Sequence, residues 1–174
     1  MELTFDEATA AYACIKGILK RGYFKSAQAA STGSHHARYQ DYQEWARYST
    51  RPYVSATHGG RFVQNYANVV AKAYGKYEDA GRMPVGAILA KDSFLVQNGR
   101  VAPGPLFVME KMRAGFNEAS GNWRYTLVMA DGRVVGTTNG EGSQNVAFCA
   151  GCHMGLTGEE TDSLFFLPDE YRVQ

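Results

Sequence analysis

The 174-residue chain has no apolar run near the roughly 18 residues a membrane-spanning helix needs, so no span is expected. It also lacks an excess of either charge. Its 18 Lys plus Arg balance 17 Asp plus Glu, for a formal net charge of +1, and no basic stretch suggests a nucleic-acid surface. Met1-Glu2-Leu3-Thr4-Phe5-Asp6-Glu7 has no basic segment leading into an apolar one, so no export signal is read there. Internal repeats, low-complexity tracts and linkers are missing too. The length suits one domain, 1–174, large enough to bury its own core. Cysteine is scarce, with three residues: Cys149 and Cys152 stand close together and Cys14 stands alone. Cys14 reads best as a small buried apolar residue on a helix, with an intermolecular disulfide as the sharper alternative.

Among the residues that are present, Thr4 and Glu7 have capping-box spacing and open a helix to about Arg21, which Gly22 stops. Ala8, Tyr12, Ile15 and Leu19 form its apolar stripe. Ser26 to Ser34 reads as a loop. A second helix is expected over Ala37 to Tyr48, and a turn at His58-Gly59-Gly60. A third helix is expected over Phe62 to Asp79, ending at Gly81. After Pro84 the pattern changes. Val85 to Lys91, Pro105 to Met112 and Asn122 to Met129 read as strands, and Asp131-Gly132 marks a type I′ hairpin. Helices followed by an antiparallel sheet give an α+β class, with the N-terminal helices packed on the sheet.

Cys149-Ala150-Gly151-Cys152-His153 is the spacing of covalent haem attachment. Each thiol adds to one porphyrin vinyl group, and the adjacent His153 binds the iron. A zinc site would need further ligands, and Cys14, His35, His36 and His58 form no recognisable second half. A redox Cys-x-x-Cys would follow a βαβ pattern, which is absent. A single motif implies one haem c per chain. Attachment normally takes place outside the cytoplasmic membrane, so a periplasmic, mature or trimmed chain is expected. What occupies the other face of the haem decides function. A Met or His there makes an electron carrier, and an open site makes a ligand binder or an enzyme. Met83 and Met109 are the open candidates. Met154 adjoins His153 and is not expected to reach that face.

Met83-Pro84-Val85-Gly86-Ala87-Ile88-Leu89-Ala90-Lys91, then Gly121-Asn122-Trp123, then the haem motif, resemble the cytochrome P-460 family and its relatives, the β-sheet cytochromes c′-beta. Thr57-His58-Gly59-Gly60-Arg61 and Leu164-Phe165-Phe166-Leu167-Pro168 also look like this family, so the resemblance covers roughly residues 57–170. It implies an α+β haem protein, usually a homodimer. It further implies hydroxylamine oxidation, with a lysine cross-linked to a haem meso carbon and electrons passed to another c-type cytochrome. The c′-beta relatives lack the link and bind nitric oxide or carbon monoxide at a five-coordinate iron under an aromatic cap.

Lys91 falls where the family's cross-linking lysine falls. Strand alternation sets Val85, Ala87, Leu89 and Lys91 on one face, which suits burial against a porphyrin edge. The plain alternative is a strand-end lysine in water. Glu118 and Glu141 are the candidates for the family's distal carboxylate, and each is equally at home in a solvated loop. Phe94 and Phe107 are candidate distal-pocket residues, otherwise core. His58 and Arg61 are candidate propionate contacts, otherwise surface-turn residues. His35 and His36 are assigned no role. Hydroxylamine oxidation, reversible nitric oxide binding and electron transfer through a methionine-ligated iron are the three functions to separate.

Overall fold

The structure, a computed structural model, describes residues 3–25, 34–156 and 159–174. Helix α1 spans Phe5–Tyr23. Its capping box is complete: Glu7 N–H donates to Thr4 Oγ1 at 3.4 Å, and Thr4 N–H donates to the Glu7 carboxylate at 2.8 Å. The expected apolar stripe is buried. Gly22 is not the stop, since the helix runs on to Tyr23. A Cβ at Gly22 would collide with the Ala130 carbonyl oxygen, so glycine serves close approach rather than helix termination.

The expected loop Ser26–Ser34 lies outside the described residues except at Ser34, which opens the four-residue helix α2, Ser34–Ala37. The helix expected over Ala37 to Tyr48 is replaced by a 3₁₀ turn at Tyr42–Glu44 and strand β1, Ala46–Arg47. Long-range contacts override the local periodicity here. Tyr42 is fully buried with its hydroxyl on Asp92, and β1 pairs with Tyr66 and Ala67.

The expected third helix also divides. Strand β2 is Tyr53–Ser55, a 3₁₀ turn at Ala56–His58 leads into Gly59 and Gly60, and β3 is Arg61–Ala67. Only then does a kinked 3₁₀ segment, Val69–Ala80, begin. Phe62 to Ala67 are all buried, because both faces of β3 are covered. Such a strand shows no period of two and is easily taken for a helix. Asn68 ends it, with Oδ1 accepting from both Ala71 N–H and Ile88 N–H at 3.0 Å.

The remaining strands are β4 Ile88–Gln97, β5 Arg100–Pro103, β6 Leu106–Lys111, β7 Trp123–Val128 and β8 Val134–Thr137. Val85 is therefore not a strand residue. It is exposed ahead of β4, and the shared face begins at Ala87, which is buried in the same cluster as Leu89. Asp131-Gly132 does turn the chain between β7 and β8, but of the pair only Gly132 has positive φ, 86°, so the turn is not type I′. The sheet is antiparallel, ordered β1-β3-β4-β6-β7-β8, with β2 also on β3 and β5 also on β4. Helix α3, Ala147–Leu156, carries the cysteine pair. The fold is α+β, as expected. No helix among the described residues is long and apolar enough to cross a membrane.

The sheet has two covered faces. On one, α1 packs Tyr12, Ile15 and Leu19 against Ile88, Phe94 and Leu106. On the other, Val63, Leu89, Trp123 and Tyr125 meet Leu164 and Leu167 from the C-terminal segment, with Cys149 and Ala150 of α3 beside them. A cavity lined by Leu89, Tyr125, Cys149 and Leu164 opens on this second face.

Candidate functional site

Alternation along β4 aims Leu89 and Lys91 away from α1, while Ile88, Ala90 and Phe94 join the core beneath α1. Lys91 pairs with Phe107 of β6, and both line a cavity of about 360 Å³. The opposite contribution comes from α3, which brings Cys149, Cys152 and His153 to the same cavity. Met109, Leu127 and Met129 make its wall largely apolar.

Burial dominates the electrostatics. It lowers the Lys91 amine to about 8, since an ammonium half-buried against this apolar wall loses part of its hydration. It lowers His153 to about 4, opposed by a hydrogen bond to Ser163 and assisted by the Lys91 charge. It raises the Cys149 thiol to about 11.

The tautomer of His153 is fixed by its neighbour. Nδ1 lies 2.8 Å from the Ser163 carbonyl oxygen, which can only accept. Nδ1 therefore carries the proton, and Nε2 keeps the lone pair a metal needs.

The donor set fits a covalent haem. Neither thiol is in a disulfide, and a thiol held protonated, as Cys149 is, suits vinyl addition rather than metal-thiolate ligation. Among the described residues no three His, Cys, Asp or Glu side chains converge as a metal cluster, which removes geometric support from a zinc reading of the same motif. The Tyr125 hydroxyl is buried without a hydrogen-bond partner among the described residues, and Tyr125 lines the cavity, so a polar group bound there would satisfy it.

Not every candidate from the sequence reaches the cavity. Phe107 and Arg61 line it. Phe94 does not: it is buried on the α1 side, stacked on Phe62 with ring centroids 5.0 Å apart, because its even register with Ile88 and Ala90 turns it to the other face. Glu118 is exposed in a 3₁₀ turn and Glu141 is exposed in a loop, and neither lines the cavity. Met109 lines it, whereas Met83 is buried in the neighbouring core cluster. Cys14 is exposed rather than buried on α1.

His58 is the cavity residue that sequence reasoning weighs too lightly. Its Nδ1 lies 2.8 Å from Ser55 Oγ, and its ring meets Phe107 edge-on at 4.7 Å. Burial, then the charges of Lys91 and His153, lower it to about 2. The Gly59-Gly60 turn beside it is the available signal, but it points equally to the surface. Ser163 leaves no signal, since its contribution is a backbone carbonyl.

The family model described as Cytochrome P460 matches residues 39–166. No curated protein matches the chain.

Proposed function

The chain belongs to the cytochrome P460 family, and from that premise we propose that it is a one-haem c-type cytochrome that oxidises hydroxylamine. The observation that carries this reading is the placement of Lys91 on the wall of the same cavity as Cys149, Cys152 and His153. A lysine is rarely turned into an apolar cavity wall without a charged partner. A bond from Nζ to a porphyrin ring carbon removes the ammonium, and with it the cost of enclosing a charge. In such a link Nζ would replace the hydrogen of one ring carbon, two protons leaving and two electrons passing to a peroxide-class oxidant from solution.

When bound, the haem supplies the iron that takes electrons from the substrate. The protein supplies the rest. Cys149 and Cys152 would fix the ring, and His153 would offer Nε2, with its tautomer set by Ser163. Arg61, at the cavity wall, suits a propionate. Phe107, Met109 and Leu127 give the cavity an apolar wall that would limit water around a bound haem.

Oxidation of hydroxylamine releases protons as well as electrons. Among the described residues no Asp or Glu lines the cavity, so the proton acceptor is assigned to His58. With Nδ1 engaged by Ser55, its Nε2 is the ring nitrogen left for the substrate. Burial is the main cause of the low His58 value and would remain; a bond from Lys91 to carbon would remove the ammonium charge that adds to it, moving the imidazole toward the range of a working base.

An external c-type cytochrome takes the electrons, and a periplasmic homodimer completes the reading. Steady-state oxidation of hydroxylamine by the haem-loaded chain, with a c-type cytochrome as acceptor, tests the assignment. Turnover supports it, and tight hydroxylamine binding without turnover opposes it. The mostly apolar cavity wall favours a second reading, reversible binding of nitric oxide or carbon monoxide, which that second outcome would support.

A further inference from the structure

We propose that Asp162, held by Lys111 and Trp123, is a positioning residue for the imidazole of His153, an inference that rests on the reading of His153 as the iron ligand. Asp162 and Ser163 have φ of 51° and 62°, two consecutive non-glycine residues in the left-handed region. Each meets a steric penalty there, and such residues persist where the surroundings over-determine them.

The surroundings here converge on residue 162 from three directions. The Lys111 ammonium, at the end of β6, pairs with Asp162 Oδ1. Met83 N–H, in the segment before β4, donates to Oδ2 at 2.9 Å. Trp123 Nε1–H, at the start of β7, donates to the Asp162 carbonyl oxygen at 2.8 Å. Lys111 is itself held, donating to Gly121 O at 3.0 Å with its ammonium 4.9 Å from the Trp123 ring centroid.

None of Lys111, Trp123 and Asp162 lines the cavity. Together with Leu164 N–H, which donates to the Thr161 carbonyl oxygen at 3.0 Å, they hold the next peptide, whose Ser163 carbonyl accepts the His153 Nδ1 proton. Rotation of that peptide would carry the acceptor away. A carbonyl acceptor increases the electron density of the imidazole, which strengthens Nε2 as a donor to a metal and stabilises the oxidised metal. The strained pair of residues is thus the means by which the sheet reaches the ligand that the helix carries.

The test uses the haem-loaded chain and reads the iron–histidine stretching frequency of the ferrous form together with the reduction potential. Asp162→Ala and Trp123→Phe should both lower the frequency and raise the potential, the second by less. Trp123→Phe keeps a ring and removes the donor, so it serves if Asp162→Ala fails to fold. Glu78→Gln weakens the distant Arg172 pair and should move neither readout. Unchanged frequency and potential in folded, haem-loaded Trp123→Phe and Asp162→Ala would overturn the proposal alone, as would an equal shift in Glu78→Gln. Absence of any iron–histidine band in the unaltered chain would overturn the proposal together with its premise.

Discussion

Lys91 and Phe107 are direct partners across the β4–β6 ladder, so the only lysine in the cavity wall among the described residues has an aromatic ring as its strand neighbour. The ring helps to keep water from the amine. Phe107→Ala should therefore rehydrate Lys91 and raise its pKa from about 8 toward the ordinary range. In the proposed link the neutral amine would be the nucleophile, so the yield of lysine-linked haem at neutral pH should fall, as read by mass spectrometry of the digested protein. An unchanged yield would mean that Phe107 does not control the amine.

His58→Gln should leave haem attached and lower hydroxylamine oxidation by about 10²-fold or more, the usual contribution of a positioned base. Its effect should fall on turnover rather than on the iron–histidine band. Full activity in this variant would remove His58 from the mechanism.

Asp92 sits on the opposite face of β4, buried, accepting from the Tyr12 and Tyr42 hydroxyls at 2.7 and 2.8 Å. Burial raises its carboxyl to about 6, against the lowering effect of these hydrogen bonds. A folded pKa above the unfolded value means that the native state binds the extra proton. The stabilisation is complete below about pH 4 and is lost as pH rises through 6, by roughly 3 kcal/mol over that window. Asp92→Asn removes this titration. Urea unfolding at pH 4 and pH 7 should show a smaller loss of stability on raising the pH in the variant, and an identical loss in both chains would refute the shift.

Gly22→Ala should destabilise the fold by roughly 1–3 kcal/mol, the usual cost of overpacking, because the new methyl group meets the backbone of Ala130. Thermal unfolding measures it. A neutral substitution would mean that α1 can retreat from the β7–β8 turn at little cost.

The parts of the fold that are legible in the sequence are those set by local chemistry. The Thr4–Glu7 capping box fixes the start of α1, and the single-face alternation of Ala87, Leu89 and Lys91 puts the lysine on the cavity side. The failures share one cause. β1 and β3 exist through pairing with distant strands, and Phe62 to Ala67 are buried on both faces, so no period of two is visible. In the site, the Cys149–His153 motif is legible because all its groups are side chains in one short segment. The Ser163 carbonyl and the Asp162 geometry are not, because they are made by backbone held from three separate elements.

One haem joined to this cavity by Cys149, Cys152 and Lys91, with His153 beneath its iron, is the claim on which the functional reading depends. Proteolysis of the haem-loaded chain followed by mass spectrometry of the haem-containing peptides tests it directly. The expected result is one species containing haem, the Cys149–His153 peptide and the Lys91 peptide together, replaced in Lys91→Ala by a species without the third component. Haem on the Cys149–His153 peptide alone would contradict the lysine link, and a chain with the mass of the bare polypeptide after expression with haem-attachment machinery would contradict the claim as a whole.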